Sequence, residues 1–272
     1  MKFTIRLNSI PSQNLSPEEF TWLAEAAQSA RREWNRARRK SDPVEKAMAL
    51  SRLSAYLFDL EGPQAALGLV RRAHRLWEVA GNPSQIATSR AALAGRLLNA
   101  GLSQEALQQS AEARKAMGEM EPQRRHQGIP HCLGREFLKA GHAAEAQNWL
   151  ELALENPAEG ERGTILAKLS SALDLQGKLS EARERQFEAC AAFHGQKGLV
   201  SMATGMLRLA RLELRLGRRW EAMALCQEAA TVLERRHLAF EAAEAKELYR
   251  FCRTGNGEWG CTSESSRSGW NS

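Results

Sequence analysis

The histidine and cysteine side chains, which most often bind metals or act as nucleophiles, show no spacing that suits either chemistry. The histidines are His74, His126, His131, His142, His194 and His237, and the cysteines are Cys132, Cys190, Cys226, Cys252 and Cys261. The sequence contains no HExxH motif, CxxC pair, P-loop or nucleophile elbow. We therefore expect no metal site, no cofactor, no disulfide framework and no enzymatic activity.

Positively charged side chains concentrate near the amino terminus, in a segment that we call the basic patch. Its members are Arg31, Arg32, Arg36, Arg38, Arg39 and Lys40. Such a cluster could contact nucleic-acid phosphates or an anionic membrane surface, or it could be a solvated helix end. The formal net charge of +6 permits acidic partners. However, no zinc finger, RRM aromatic motif or preceding helix-turn-helix that would read bases accompanies the patch.

The elements that carry these side chains are predicted to be helices, and the first begins with a clear cap. Residues 16–19 read Ser-Pro-Glu-Glu, which is a capping box with proline in the first turn. The apolar spacing that follows predicts a helix to about Lys40. Residues 1–15 alternate apolar and polar side chains, so they predict a short strand or an extended arm.

From Asp42 onward the sequence repeats with a period of 40 residues, shortened once to 36. The clearest repeating position is an alanine that opens the second helix of each unit: Ala66, Ala106, Ala146, Ala182 and Ala222. Five residues before it, four of the five units have a glycine: Gly101, Gly141, Gly177 and Gly217. This period indicates stacked helix-turn-helix units, because one unit cannot bury its own apolar faces.

The repeating positions have physical roles in a helix pair. A small residue twelve positions before the alanine lets two antiparallel helices approach closely. The glycine supplies the left-handed residue that ends the first helix. A proline after a capping residue marks the beginning of a unit, at Asp42–Pro43, Asn82–Pro83, Glu121–Pro122 and Asn156–Pro157.

These positions together resemble the tetratricopeptide repeat (TPR), and the third unit matches best, through Leu133, Gly134, Phe137, Gly141, Ala146 and Ala153. The resemblance covers roughly residues 43–237. It implies an all-α solenoid, a right-handed superhelix of about five helix-turn-helix repeats with flanking N- and C-terminal helices. The 40-residue spacing exceeds the usual 34 and is similar to the long-helix TPRs of MalT-like and Pins-like proteins. Glu213 stands where an apolar residue belongs, so we expect locally shifted packing in the fifth unit.

The chain divides on this basis into an arm (1–15), a basic helix (16–41), a repeat array (42–237), a capping helix (238–253) and a tail (254–272). The repeats span 42–81, 82–120, 121–156, 157–196 and 197–237. The Gly/Ser-rich tail is expected to be disordered. Without a signal peptide or a long apolar run, we expect a cytoplasmic protein that has no membrane partner.

The resemblance also implies a partner-binding groove, since the first helix of each unit lines the concave face of a TPR superhelix. By position, the polar members of this groove are Ser51, Asp59, Asn99, His131, Arg135, Lys139, Ser171, Asp174, Arg211 and Arg215. Apolar or small members include Phe58, Ala91, Gly95, Leu98 and Leu207. The Lys and Asn pair of chaperone-type carboxylate clamps is missing, so we expect no binding to chaperone C-termini. Arginine pairs well with carboxylates and phosphates, which predicts an acidic or phosphorylated segment as the ligand.

Three functions remain open at this point. The first is a non-catalytic scaffold that binds an acidic segment of a partner protein in the groove. The second is a nucleic-acid-associated protein that uses the basic patch and the groove arginines. The third is an effector-sensing TPR module of a regulator. Binding to RNA or DNA that collapses between 50 and 200 mM salt would favour the second over the first.

Overall fold

The computed structural model describes residues 16–121, 128–195 and 198–254, and all regular structure in these ranges is α-helical. The helices of this described part are α1 (Pro17–Ala37), α2 (Pro43–Glu61), α3 (Pro63–Ala80), α4 (Pro83–Asn99), α5 (Ser103–Gly118), α6 (Gly128–Lys139), α7 (Ala143–Glu155), α8 (Arg162–Leu175), α9 (Leu179–Gly195), α10 (Leu199–Arg215), α11 (Arg219–Arg235) and α12 (Ala239–Thr254). The predictions for residues 1–15, Pro122, His126 and residues 255–272, including Cys261, lie outside the described residues.

The chain divides into two compact units, Met1–Gln176 and Gly177–Ser272, which we call unit 1 and unit 2. In unit 1, α2 packs against α3, α4 against α5, and α6 against α7, while α1 packs on α2 and α8 on α7. In unit 2, α10 packs against both α9 and α11, and α12 packs on α11. Within each unit, the two helices of a repeat therefore pair in space, as helix-turn-helix repeats require.

Three of the described helices begin at caps that the sequence predicts: α1, α2 and α4. The Ser16 Oγ accepts a hydrogen bond from the Glu19 N–H (3.2 Å), and the Ser16 N–H donates to the Glu19 carboxylate over 2.8 Å. This second hydrogen bond is the main reason that the pKa of Glu19 lies below its ordinary value. Asp42 and Asn82 cap α2 and α4, and each is followed by a proline in the first turn.

The predicted helix start at Asn156–Pro157 is wrong. Helix α7 ends at Glu155 and α8 begins only at Arg162, so a turn separates them. Within that turn Gly160 has a φ of 78°, a left-handed conformation that does not occur inside a right-handed helix. The first helix is also shorter than expected. It ends at Ala37 and not near Lys40, and residues 38–40 lie outside the helix.

Left-handed glycines end the first helices, as the repeat pattern predicts. Gly101, Gly141 and Gly217 have φ values of 79°, 80° and 79°. After Gly141, the N–H of His142 donates to the carbonyl oxygen of Phe137 over 2.9 Å. The same hydrogen bond across six residues recurs after Gly101 and Gly217. This geometry satisfies carbonyl groups that the end of a helix leaves unpaired.

A small residue brings α6 and α7 into direct contact. A Cβ atom on Gly134 would lie 2.6 Å from Cγ of Leu150 and 3.3 Å from the carbonyl oxygen of Ala146. Beside this contact Trp149 is fully buried, and its Nε1 donates a hydrogen bond to Ser110 Oγ of α5 over 2.6 Å. The α6–α7 pair is therefore closely packed and is also linked to the preceding α4–α5 pair by this hydrogen bond.

Glu213 does not shift the packing of the fifth repeat, contrary to the expectation from its position. Helix α10 is continuous, and Glu213 is only 2% exposed. The Arg183 Nε of α9 donates to Glu213 Oε1 over 2.6 Å, and Arg218 Nη1 lies 3.6 Å from the other carboxylate oxygen. A carboxylate can occupy an apolar position when a neighbouring arginine forms a hydrogen-bonded ion pair with it.

Candidate peptide-binding face of unit 1

The first helices of three successive repeats in unit 1 are α2, α4 and α6, and we call their common surface the first-helix face. Its incompletely buried polar members are Asp59, Asn99, His131, Arg135 and Lys139. Four other residues that we expected to line a groove are buried instead: Phe58, Ala91, Gly95 and Leu98. Neighbouring first helices close over these positions, as shown by a Cβ built on Gly95, which would lie 3.2 Å from Cδ2 of Leu133.

Arg135 and Lys139 gather around a buried carboxylate that the sequence analysis did not single out. Glu136 is 4% exposed. Its Oε1 lies 3.1 Å from Arg135 Nη2 and 3.2 Å from Arg135 Nε, while Lys139 Nζ is 4.0 Å away. The carboxylate therefore orients both cations on α6.

Arg96 of α4 is a second residue that the sequence analysis missed. It is 3% exposed, and its Cζ lies 3.6 Å from the ring centroid of Phe58 on α2. Its Nη1 is buried without a hydrogen-bond partner. Burial lowers the pKa of Arg96 to about 10, and the nearby carboxylates of Asp59 and Glu136 oppose that shift. The guanidinium is therefore still charged at neutral pH.

The repeat register contained a signal for this cluster. Arg96 and Glu136 are 40 residues apart and occupy equivalent positions, two residues after the small residue of each repeat. Opposite charges at one register position of neighbouring first helices predict that the two side chains lie close together. The equivalent residues elsewhere are Tyr56, Ala172 and Leu212.

His131 is engaged by a carboxylate. Its Nδ1 lies 3.3 Å from Oε2 of Glu161, and its Nε2 is buried without a hydrogen-bond partner. Burial lowers the pKa of His131 below its ordinary value, while Glu161 opposes the shift. Burial also raises the pKa of the adjacent Cys132 thiol. These residues do not form an activated nucleophile, because the thiolate is the reactive species.

The predicted groove residues of unit 2 lie on α10. The Arg211 Nη2 donates to Glu244 Oε1 on α12, so this arginine links two helices. Arg215 is exposed at the end of the same helix. Leu207, which we also expected to face a groove, is 1% exposed and belongs to the core of unit 2.

The basic patch lies at the end of α1 and in the following turn. Arg31 Nη2 is 3.5 Å from Glu61, and Lys40 Nζ is 2.7 Å from Glu45. The other four members are exposed and make no ion pair with any residue in the described ranges: Arg32, Arg36, Arg38 and Arg39. The patch therefore presents four exposed cations at the end of α1 and in the turn that follows it.

The described residues contain neither a cluster of metal ligands nor a membrane-spanning helix. Among them, no group of three or more His, Cys, Asp or Glu side chains could hold a metal ion. No helix in the described ranges is long and apolar enough to cross a bilayer. A cavity of about 260 Å³ next to α3 is lined by charged side chains, and Arg71 and Arg90 there pair with Glu105 and Glu78.

No protein-family model and no curated protein sequence matches this chain. Solved structures do match its fold. BtubC (BKLC) from P. vanneervenii aligns with a TM-score of 0.61 and 19% identity, over 79% of this chain and 92% of that chain. A putative kinesin light chain of Podosopora anserina with nearly identical TPR-like repeats aligns with a TM-score of 0.53 and 18% identity, over 82% and 99% of the two chains.

A double mutant of MamA from RS-1 also aligns, with a TM-score of 0.52 and 15% identity, over 70% of this chain and 96% of that chain. Identities this low bear on the fold alone. These alignments, together with the paired helices, the left-handed glycines and the small packing residues, show that this chain has the all-α fold of TPR-like repeat proteins.

Proposed function

We propose that this chain is a non-catalytic protein-interaction scaffold that binds an acidic segment of a partner protein on the first-helix face of unit 1. The observation that carries the proposal is the group of donors on that face: Asn99, Arg135 and Lys139. Repeat arrays use such surfaces for binding, because successive repeats present equivalent side chains along an extended face.

The chemistry of the face favours a negatively charged ligand. Arg135 presents a planar fork of N–H donors, which matches the two oxygens of a carboxylate or phosphate. The buried Glu136 fixes the direction of this fork, so less conformational entropy is lost when a ligand binds. In unit 2, Arg211 and Arg215 form a second basic group, and we assign it a secondary role because both lie on a single helix, α10.

Affinity purification from the source cell, with quantification by mass spectrometry, tests this proposal. The double variant Arg135→Gln/Lys139→Gln should recover any specific partner at least about tenfold less than the wild type, with an unchanged circular dichroism spectrum. The matched control is Arg235→Gln, an exposed arginine of α11 in unit 2. Equal recovery of the partner by the double variant and the control would contradict the proposal.

Association with nucleic acid is the second candidate function, and the basic patch favours it. Four arginines there have no carboxylate partner in the described part of the chain, so phosphates could bind them with release of counterions. Anisotropy with a labelled single-stranded RNA at 50 and 200 mM salt tests this function. Binding that weakens steeply with salt and is lost in Arg32→Gln/Arg36→Gln supports it; no binding at 50 mM salt excludes it.

A further inference from the structure

The guanidinium of Arg96 has an unusual environment for a buried charge. It is 3% exposed, and its Nη1 has no acceptor. Its closest described contact is the face of the Phe58 ring at 3.6 Å, which attracts a cation but accepts no conventional hydrogen bond. Arginine carries five N–H donors, and a buried donor without an acceptor destabilises the folded state.

Two carboxylates near Arg96 provide negative charge, but they leave one of its N–H donors without an acceptor. The negative charges of Asp59 and Glu136 oppose the loss of its proton, yet its Nη1 has no hydrogen-bond partner. Glu136 is bonded instead to Arg135. Asn99 follows Arg96 by three residues and so lies on the same side of α4. Arg96 is therefore at the base of the first-helix face, next to the donors assigned to ligand binding.

We propose that Arg96 is the anion-recognising residue of this face, and that its donors take a carboxylate or phosphate group of the bound segment. The inference rests on the proposed function of the same face. A ligand oxygen provides the acceptor that the free protein does not, and hydrogen bonds between ionised groups are among the stronger ones. Arg96 thus destabilises the free protein and stabilises the complex.

This assignment predicts opposite effects of one substitution on stability and on binding. In Arg96→Met the side chain stays unbranched and apolar in its stem, can contact the Phe58 ring through sulfur, and loses the buried charge. Glu136 keeps Arg135 and Lys139 as partners. We therefore expect an unchanged or higher melting temperature together with weaker binding. A purely structural Arg96, holding α2 and α4 together through Phe58, would give a lower melting temperature.

The experiment uses fluorescence anisotropy of the full chain with fluorescein-labelled octaglutamate, and octaglutamine as the uncharged probe. A (Ser-Gly)4 peptide with and without phosphorylated serines distinguishes phosphate from carboxylate as the source of the anion. For at least one anionic probe, Arg96→Met should weaken binding about tenfold or more, whereas Arg235→Met should match the wild type. Melting temperatures are measured on the same samples.

Three outcomes would overturn the assignment. If Arg96→Met binds as well as the wild type while Arg135→Gln/Lys139→Gln does not, the proposed function stands and Arg96 is not the anion-recognising residue. If Arg96→Met melts at a lower temperature, its role is structural. If the wild type binds neither anionic probe at 50 mM salt, the acidic ligand and the role of Arg96 both fail.

Discussion

Each unit buries a charged side chain on its first helices, and the two differ in whether that side chain has an ion-pair partner. In unit 2, Glu213 Oε1 accepts a 2.6 Å hydrogen bond from Arg183, while Oε2 has no hydrogen-bond partner and lies 3.6 Å from Arg218. In unit 1, Arg96 is buried to a similar extent but stacks on Phe58, and its Nη1 has no hydrogen-bond partner. A hydrogen-bonded ion pair can hold helices together, whereas a buried cation without such a pair weakens the fold, and a ligand anion would supply the missing partner.

Removing Arg183 should cause the largest loss of stability. Arg183→Met leaves Glu213 buried with only the more distant Arg218, so we expect a loss of about 3 kcal/mol in the free energy of unfolding. Urea denaturation followed by circular dichroism measures it, with Arg185→Met on the exposed side of α9 as the control. If the midpoints of Arg183→Met and the control coincide, the Glu213 cluster is not structural and the contrast with Arg96 disappears.

A substitution at Gly134 tests whether unit 1 is held together by apolar packing. Gly134→Ala places a Cβ 2.6 Å from Leu150, so overpacking should cost about 2 kcal/mol. The matched control is Gly68→Ala on the exposed side of α3, where a Cβ meets nothing within 4 Å. That change should stabilise the helix by up to about 1 kcal/mol.

Urea midpoints that move in opposite directions would support the close contact between α6 and α7. A Gly134→Ala variant as stable as the Gly68→Ala control would show that the helices are not packed as described. Unit 1 would then be loosely packed, and the missing hydrogen-bond partner of Arg96 would no longer stand out from its surroundings.

The dependence of stability on pH should be a smaller effect than either substitution. The described histidines with lowered pKa values are His74 and His131, and both lie in unit 1. Burial is the main cause for both. Their folded-state pKa values lie below the ordinary value near 6.5, so the unfolded chain binds protons more readily. Stability is therefore highest above about pH 6.5 and declines as the pH falls below that value.

Melting temperatures measured between pH 7.5 and 5.5 test this sign. For His131, the positive charges of Lys168 and Arg135 add to the effect of burial, and Glu161 opposes it. His131→Gln should flatten the decline on the acid side. A variant that declines as steeply as the wild type would show that protonation of His131 does not destabilise unit 1.

Local chemistry made the helix pairs predictable from the sequence. Gly141 is left-handed because it ends a helix, and Gly134 is small because Leu150 lies against it. The same reasoning failed at Asn156–Pro157, since the capping signal there precedes a turn that includes Gly160 before α8 begins. A cap pattern shows where a helix can begin, but later residues decide whether it does.

The candidate site was harder to predict, because the sequence does not show which side of a first helix its neighbours cover. Ala91, Gly95 and Asn99 are spaced four residues apart on α4, and Arg135 of the next repeat is equivalent to Gly95. Ala91 and Gly95 are nevertheless buried. Arg96 is not among the predicted groove residues, and two other repeats have Ala172 and Leu212 at its register position. Burial of a charge depends on contacts between repeats, which the period alone does not show.

The most direct test of the central claim is a crystal structure of the full chain with octaglutamate bound. Our account predicts a ligand carboxylate within hydrogen-bonding distance of the Arg96 guanidinium, with Asn99 and Arg135 beside it. A complex in which the peptide binds away from the first-helix face, or in which Arg96 still stacks on Phe58 without a ligand acceptor, would contradict it.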